Sequence, residues 1–203
     1  SCRPMNRLVQ GDVGSGKTMV AAAACFCAIQ NGHQAAFMAP TEILAEQHAQ
    51  SLKKLFSPIG ISVVLMTGSL TATQKRQHKA EIADGSAQLI VGTHALITQD
   101  VAFQDLALVV CDEQHRFGVA QRAALSSKGQ TPHLLVMSAT PIPRTLALIA
   151  YGDLDVSVIG ELPPGRLPVD TFLIGEDKRQ RLNAFIEKQC EASHQVYIVC
   201  PTV

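Results

Sequence analysis

Gly11-Asp12-Val13-Gly14-Ser15-Gly16-Lys17-Thr18 fills every fixed position of the pattern G-x-x-x-x-G-K-[ST], and its flanks decide the fold. An apolar-leaning run, Arg7-Leu8-Val9-Gln10, leads in and an alanine-rich run over 19–29 leads out, so the stretch reads as strand, loop and helix. Three glycines let the backbone turn sharply and aim consecutive N–H groups inward. With the N-terminus of the following helix, these make a cavity for phosphate oxygens. In that arrangement Gly11, Asp12, Val13, Gly14, Ser15 and Gly16 cradle the phosphates, Lys17 reaches the β- and γ-phosphates, and the Thr18 hydroxyl ligates Mg²⁺. The alternative is a glycine-rich turn with a chance lysine, which requires neither flank.

Outward from the loop, short apolar runs alternate with longer amphipathic ones. Residues 34–38, 61–66, 88–91, 106–111 and 133–137 read as strands, and 19–30, 43–56, 72–83, 119–126 and 142–151 as helices. Strands that are almost wholly apolar suit a parallel sheet covered on both faces, which predicts an α/β, doubly wound domain with helices on both sides. The helix after the loop is apolar nearly all round and is expected to be buried. In the next helix Ala45, Ala49, Leu52 and Phe56 form one apolar face, with Lys53 and Lys54 nearer solvent.

Three prolines and two glycines in Gly160-Glu161-Leu162-Pro163-Pro164-Gly165-Arg166-Leu167-Pro168 forbid regular structure. The expected organisation is a domain over 1–160, a linker over 161–168, and the incomplete opening of a second strand–helix–strand domain over 169–203, with strands at 169–174 and 195–200 around a helix at 177–191.

Of the 203 residues, 47% are hydrophobic, which is ample for a core. The apolar run over 19–29 is too short to span a bilayer, and no signal peptide is evident, so no membrane partner and a cytoplasmic location are expected. Six cysteines without a C-x-x-C pair read as reduced thiols rather than a zinc site or disulfide framework. The 17 basic and 17 acidic residues balance, so any nucleic-acid contact must come from local motifs rather than bulk charge. With 4% aromatics and no tryptophan, a surface built from several base-stacking platforms is disfavoured.

The strand over 106–111 delivers Asp112-Glu113-Gln114-His115 at its C-terminal end, the end of a doubly wound sheet where ligands sit. An acidic residue there can hold Mg²⁺, and its neighbour can orient and deprotonate an attacking water. Asp112 takes the metal role and Glu113 the base role.

The loop, the Asp-Glu-Gln-His box and Ser138-Ala139-Thr140 together resemble motifs I, II and III of the superfamily 2 helicases in their DExH form. Longer strings are similar to the RecG-type DNA helicases: residues 10–18, Ala39-Pro40-Thr41-Glu42-Ile43-Leu44-Ala45-Glu46-Gln47-His48, residues 112–119 and residues 139–146. The transcription-repair coupling factors share part of this pattern. Their box usually has Glu where Gln114 stands, and their loop usually has Phe where Ser15 stands, so both positions favour the RecG type. Ser138 departs from the Thr of many RecG sequences but keeps the hydroxyl.

The resemblance implies a RecA-like ATPase domain that uses ATP and Mg²⁺, with Lys17, Asp112, Glu113, Gln114 and His115 catalytic, in a monomeric enzyme that remodels branched or forked DNA. It implies backbone contacts to DNA at Thr41, Gly68 and Thr93. Read without it, each of these is a turn with a helix cap. It also implies that His115, Ser138, Thr140 and Arg144 couple nucleotide state to motion. Finally, it implies a wedge domain, an adenine-binding region and a second motor domain carrying an arginine finger outside these 203 residues. A nucleotide kinase or small GTPase shares the loop but lacks the box and the Ser-Ala-Thr segment, and a protein that only binds nucleotide or a partner remains a third reading.

Overall fold

Gln34-Ala35-Ala36-Phe37-Met38 is buried at every position, the signature of an inner strand with helices on both faces of its sheet. The computed structural model describes residues 4–93, 96, 101–112, 132–140, 154–161, 163 and 169–200. Glu113, Gln114, His115 and Arg144, and the helices expected over 119–126 and 142–151, lie outside the described residues. The chain divides into two units, 1–164 and 165–203.

In the first unit, β1 (Asn6–Gly11), β2 (Gln34–Met38), β3 (Val63–Met66), β4 (Leu89–Gly92), β5 (Leu106–Cys111), β6 (His133–Ser138) and β7 (Asp155–Ile159) form one sheet in the order β3-β4-β2-β5-β6-β1-β7. The pairings are parallel throughout. Helices α1 (Lys17–Gln30), α2 (Glu42–Phe56) and α3 (Ala72–Ala83) connect the early strands. Alternate strand residues feed two cores. One face collects Leu8, Ala36, Met38, Ile90, Val109 and Val136 with Ile82 of α3, and the other collects Val9, Phe37, Val91, Val110 and Met137 with α1 and α2. This is the doubly wound architecture expected from the sequence. β7 was not expected, and it continues the sheet beside β1.

The helix ends carry ordinary caps. Thr41 accepts from Leu44 N–H at the start of α2, and Thr71 and Gln74 form a reciprocal capping box on α3. α2 buries Ala45, Ala49, Leu52 and Phe56 as its periodicity predicts. α1 departs from expectation. Only Ala21, Ala22, Cys25 and Ile29 are buried, while Met19, Val20 and Phe26 are exposed. A helix laid on a sheet has one contact face whatever its outer residues are, and the small alanines of α1 serve close approach on that face. Burial there pushes the Cys25 thiol up to about 12, so it acts as a packing group rather than a nucleophile.

At the opposite end of the sheet from the loop, the Gln34 side chain is fully engaged. Its Nε2 donates to Ile82 O (2.9 Å) and Ala87 O (2.7 Å), and its Oε1 accepts from the N–H groups of Gln104 (2.9 Å) and Asp105 (3.1 Å). One buried amide thereby joins the end of α3 to the approaches to β4 and β5.

The second unit contains a 3-10 turn at Glu176–Lys178 and α4 (Arg179–Glu191). The strands expected over 169–174 and 195–200 are not formed, and Leu173 and Val199 are exposed. A strand is completed by hydrogen bonds from a neighbouring backbone. Among the described residues of this unit no segment supplies one.

Candidate active site

β1 ends at Gly11, where the chain must leave the sheet and reverse into α1. Gly14 and Gly16 adopt φ of 80° and 91°, the left-handed region that side-chain-bearing residues avoid, and Gly16 caps α1. The turn is closed by Ser15 N–H donating to Asp12 O (3.1 Å) and Val13 N–H donating to Asp12 Oδ1 (2.7 Å). Lys17 Nζ donates to Gly11 O and Asp12 O, both at 2.7 Å, which holds its charge within the loop. Ser15 Oγ is buried and finds no hydrogen-bond partner among the described residues. Left-handed glycines, a helix N-terminus, an inward ammonium and an unsatisfied hydroxyl together fit a phosphate chain.

Strand order completes the site. β6 lies beside β1 with Ser138 paired to Gln10, and β5 lies beside β6 with Cys111 paired to Val136. The loop, Ser138 to Thr140, and Asp112 therefore leave three adjacent parallel strands at one edge. Ser138 is buried, and its Oγ donates to Thr140 O and accepts from Thr140 N–H, which makes a tight turn. Among the described residues, no three His, Cys, Asp or Glu side chains converge as a self-sufficient metal site. Thr18 at the start of α1 and Asp112 after β5 could each offer one oxygen to a Mg²⁺ whose shell is otherwise completed by phosphate oxygens and water.

The residues expected to meet DNA follow three of the other four strands. Thr41 comes after β2, Gly68 after β3 and Thr93 after β4, and those strands are neighbours. Thr41 is exposed, whereas Thr93 is only 5% exposed. Gly68 is tied on both sides: its N–H donates to Glu42 Oε1 (2.7 Å), and its carbonyl accepts from Lys75 Nζ (2.6 Å). Glu42 thus fastens the start of α2 to the loop after β3.

Sequence reasoning missed His48. It lies on the inner side of α2, and its Nε2 is 2.7 Å from Asp112 Oδ2. The available signal was a polar ring within the apolar stripe of Ala45, Ala49 and Leu52.

A family model described as DEAD/DEAH box helicase matches residues 3–149. The chain belongs to the DEAD/DEAH box helicase family. Within it, the chain is 54% identical over 200 residues to the ATP-dependent DNA helicase RecG of Synechocystis, and 53% identical over 205 residues to that of Escherichia coli. Each match covers 98% of this chain, and the chain spans 24% and 30% of those proteins. A solved structure of RecG bound to a three-way DNA junction matches the whole chain at 46% identity and a TM-score of 0.84, over 27% of its own length. The helicase domain of Pyrococcus furiosus Hef, at 23% identity and a TM-score of 0.61, shares the fold. These relatives favour the RecG resemblance over the coupling-factor one. No helix among the described residues is long and apolar enough to cross a membrane.

Proposed function

We propose that this chain supplies the ATP-binding motor domain of a RecG-type DNA helicase acting on branched DNA. In this reading residues 1–160 are the first motor domain, 161–168 a linker and 169–203 the opening of the second, in a cytoplasmic enzyme that works as a monomer. The observation that carries it is the strand order β5-β6-β1, which gathers Asp112, the Ser138 turn and the phosphate loop at one edge of the sheet. ATP supplies the γ-phosphoryl group, and Mg²⁺ the charge that offsets its oxygens. Thr18 and Asp112 hold the ion, and the loop N–H groups with Lys17 hold the phosphates. Glu113 orients and deprotonates a water, with Gln114 and His115 beside it. His115, Ser138, Thr140 and Arg144 relay the state of the site. Thr41, Gly68 and Thr93 mark the strand-tracking side, where contacts go to phosphates and are indifferent to base sequence.

The test separates binding from chemistry in the full-length protein. Lys17→Ala is expected to weaken ATP binding, whereas Glu113→Gln leaves affinity near normal and abolishes hydrolysis, including hydrolysis stimulated by branched DNA. Equal loss of nucleotide affinity in both variants would sink the role assignment.

A further inference from the structure

The strand order divides the C-terminal edge of the sheet into two halves. β3, β4 and β2 release the segments around Gly68, Thr93 and Thr41, while β5, β6 and β1 release Asp112, the Ser138 turn and the phosphate loop. The halves meet where β2 pairs with β5. His48 crosses that seam, because its helix follows β2 while its partner Asp112 follows β5.

The contact is short and sheltered. Nε2 and Oδ2 are 2.7 Å apart, and each side chain is 14% exposed. A carboxylate offers only lone pairs, so the ring nitrogen carries the hydrogen and donates it. Phe37 of β2, itself fully buried, holds the imidazole with ring centroids 4.7 Å apart and planes tilted by 45°. The backbone of Asp112 is tied to the same unit, since its N–H donates to Met38 O at 2.9 Å. Main chain and side chain of Asp112 are therefore both oriented by β2 and α2, and not by the strand that carries them alone.

We infer that His48 is a positioning residue for Asp112: by donating to Oδ2 it fixes the carboxylate and leaves Oδ1 as the oxygen for a divalent cation. The inference rests on the proposed metal role of Asp112. It assigns α2, the helix capped by Thr41, a direct hold on the metal side of the site. Partners that orient a metal-binding carboxylate typically change metal affinity 10–100-fold when removed.

The test is the Mg²⁺ dependence of binding of a fluorescent ADP analogue to the 203-residue chain, compared among wild type, His48→Leu and His48→Gln. Leucine keeps an apolar group against Phe37 and has no donor. Glutamine brings an amide nitrogen close to the position of Nε2. The Leu form is expected to need about tenfold more Mg²⁺ or beyond, with unchanged affinity in the absence of Mg²⁺, and the Gln form to recover most of the wild-type midpoint. Should the Leu form fail to melt cooperatively, His48→Asn replaces it; its amide is one methylene too short and is expected to show the same shift. Identical midpoints in all forms overturn the inference. An equal shift in the Leu (or Asn) and Gln forms overturns it too, because packing on Phe37 would then be the whole contribution. A wild-type chain whose ADP binding ignores Mg²⁺ overturns the proposed nucleotide site, and the inference with it. That failure is distinct from one in which wild type responds and the variants match it.

Discussion

Gly11 and Gly16 sit five residues apart in one loop, yet a methyl group meets different obstacles at each. At Gly16 a Cβ would touch nothing within 4 Å, so Gly16→Ala bears only the left-handed φ of 91°, roughly 1–2 kcal/mol. At Gly11 the obstacle is crowding: a Cβ would lie 2.6 Å from Ser15 Oγ and 3.0 Å from Ile159 Cβ. Ser15→Ala removes the first of these atoms. We therefore expect Ser15→Ala to recover part of the stability lost in Gly11→Ala and none of that lost in Gly16→Ala, as measured by urea unfolding of the single and double variants. Equal coupling at both glycines would show that the loop relaxes as a unit and that the distances at Gly11 do not govern its tolerance.

Among the elements, β2 does the most joining, with its first residue at one end of the sheet and its following helix at the other. Gln34→Leu takes the side-chain partner from the Ala87 carbonyl and from the N–H groups of Gln104 and Asp105, while Ile82 O keeps the Gly85 N–H; at about 1–3 kcal/mol for each group left unpaired, a loss of about 3 kcal/mol or more is expected. For a chain of this size that lowers the thermal midpoint by roughly 6–12 °C. ADP affinity below the transition should hold, because Gln34 lies at the far end of β2 from Thr41. Lost affinity in a variant that melts normally would contradict that separation. β2 and β5 were fully legible strands, since their apolar runs need no partner to declare themselves. β7 was not legible: Asp155-Val156-Ser157-Val158-Ile159 is half exposed, and its polar members make sense only beside Arg7, which donates to Ser157 Oγ and Asp155 Oδ2. The runs over 169–174 and 195–200 misled for the converse reason, because apolar composition cannot supply a neighbouring backbone. The glycine turn over Gly11 to Lys17 and the place of Asp112 directly after β5 were readable because both follow from consecutive residues. His48 was not, since helical spacing marks the face it occupies but not a carboxylate 64 residues away.

For the whole molecule, the chain spans less than a third of its RecG relatives, and in the proposed reading an arginine finger is supplied from outside these 203 residues. Absence of such a charge costs about 10³–10⁵ in rate. The 203-residue chain is expected to bind Mg·ATP or ADP weakly, hydrolyse ATP barely and ignore forked DNA, with turnover restored in the full-length protein. DNA-stimulated hydrolysis by the 203 residues alone would show that the catalytic parts have been misplaced. The strand order also sets a schedule for biosynthesis. β3, β4 and β2 have all been translated once Gly92 is made, but β1 finds its partners only in β6, through Leu134 to Ser138, and in β7, through Asp155 to Ile159. At about 5–20 residues per second, a nascent chain carries the loop sequence for on the order of ten seconds before those strands exist. Within this sheet the loop is thus translated before the strands that fix it and is among the last parts to acquire its shape, so nucleotide can assist only the end of the sheet's folding.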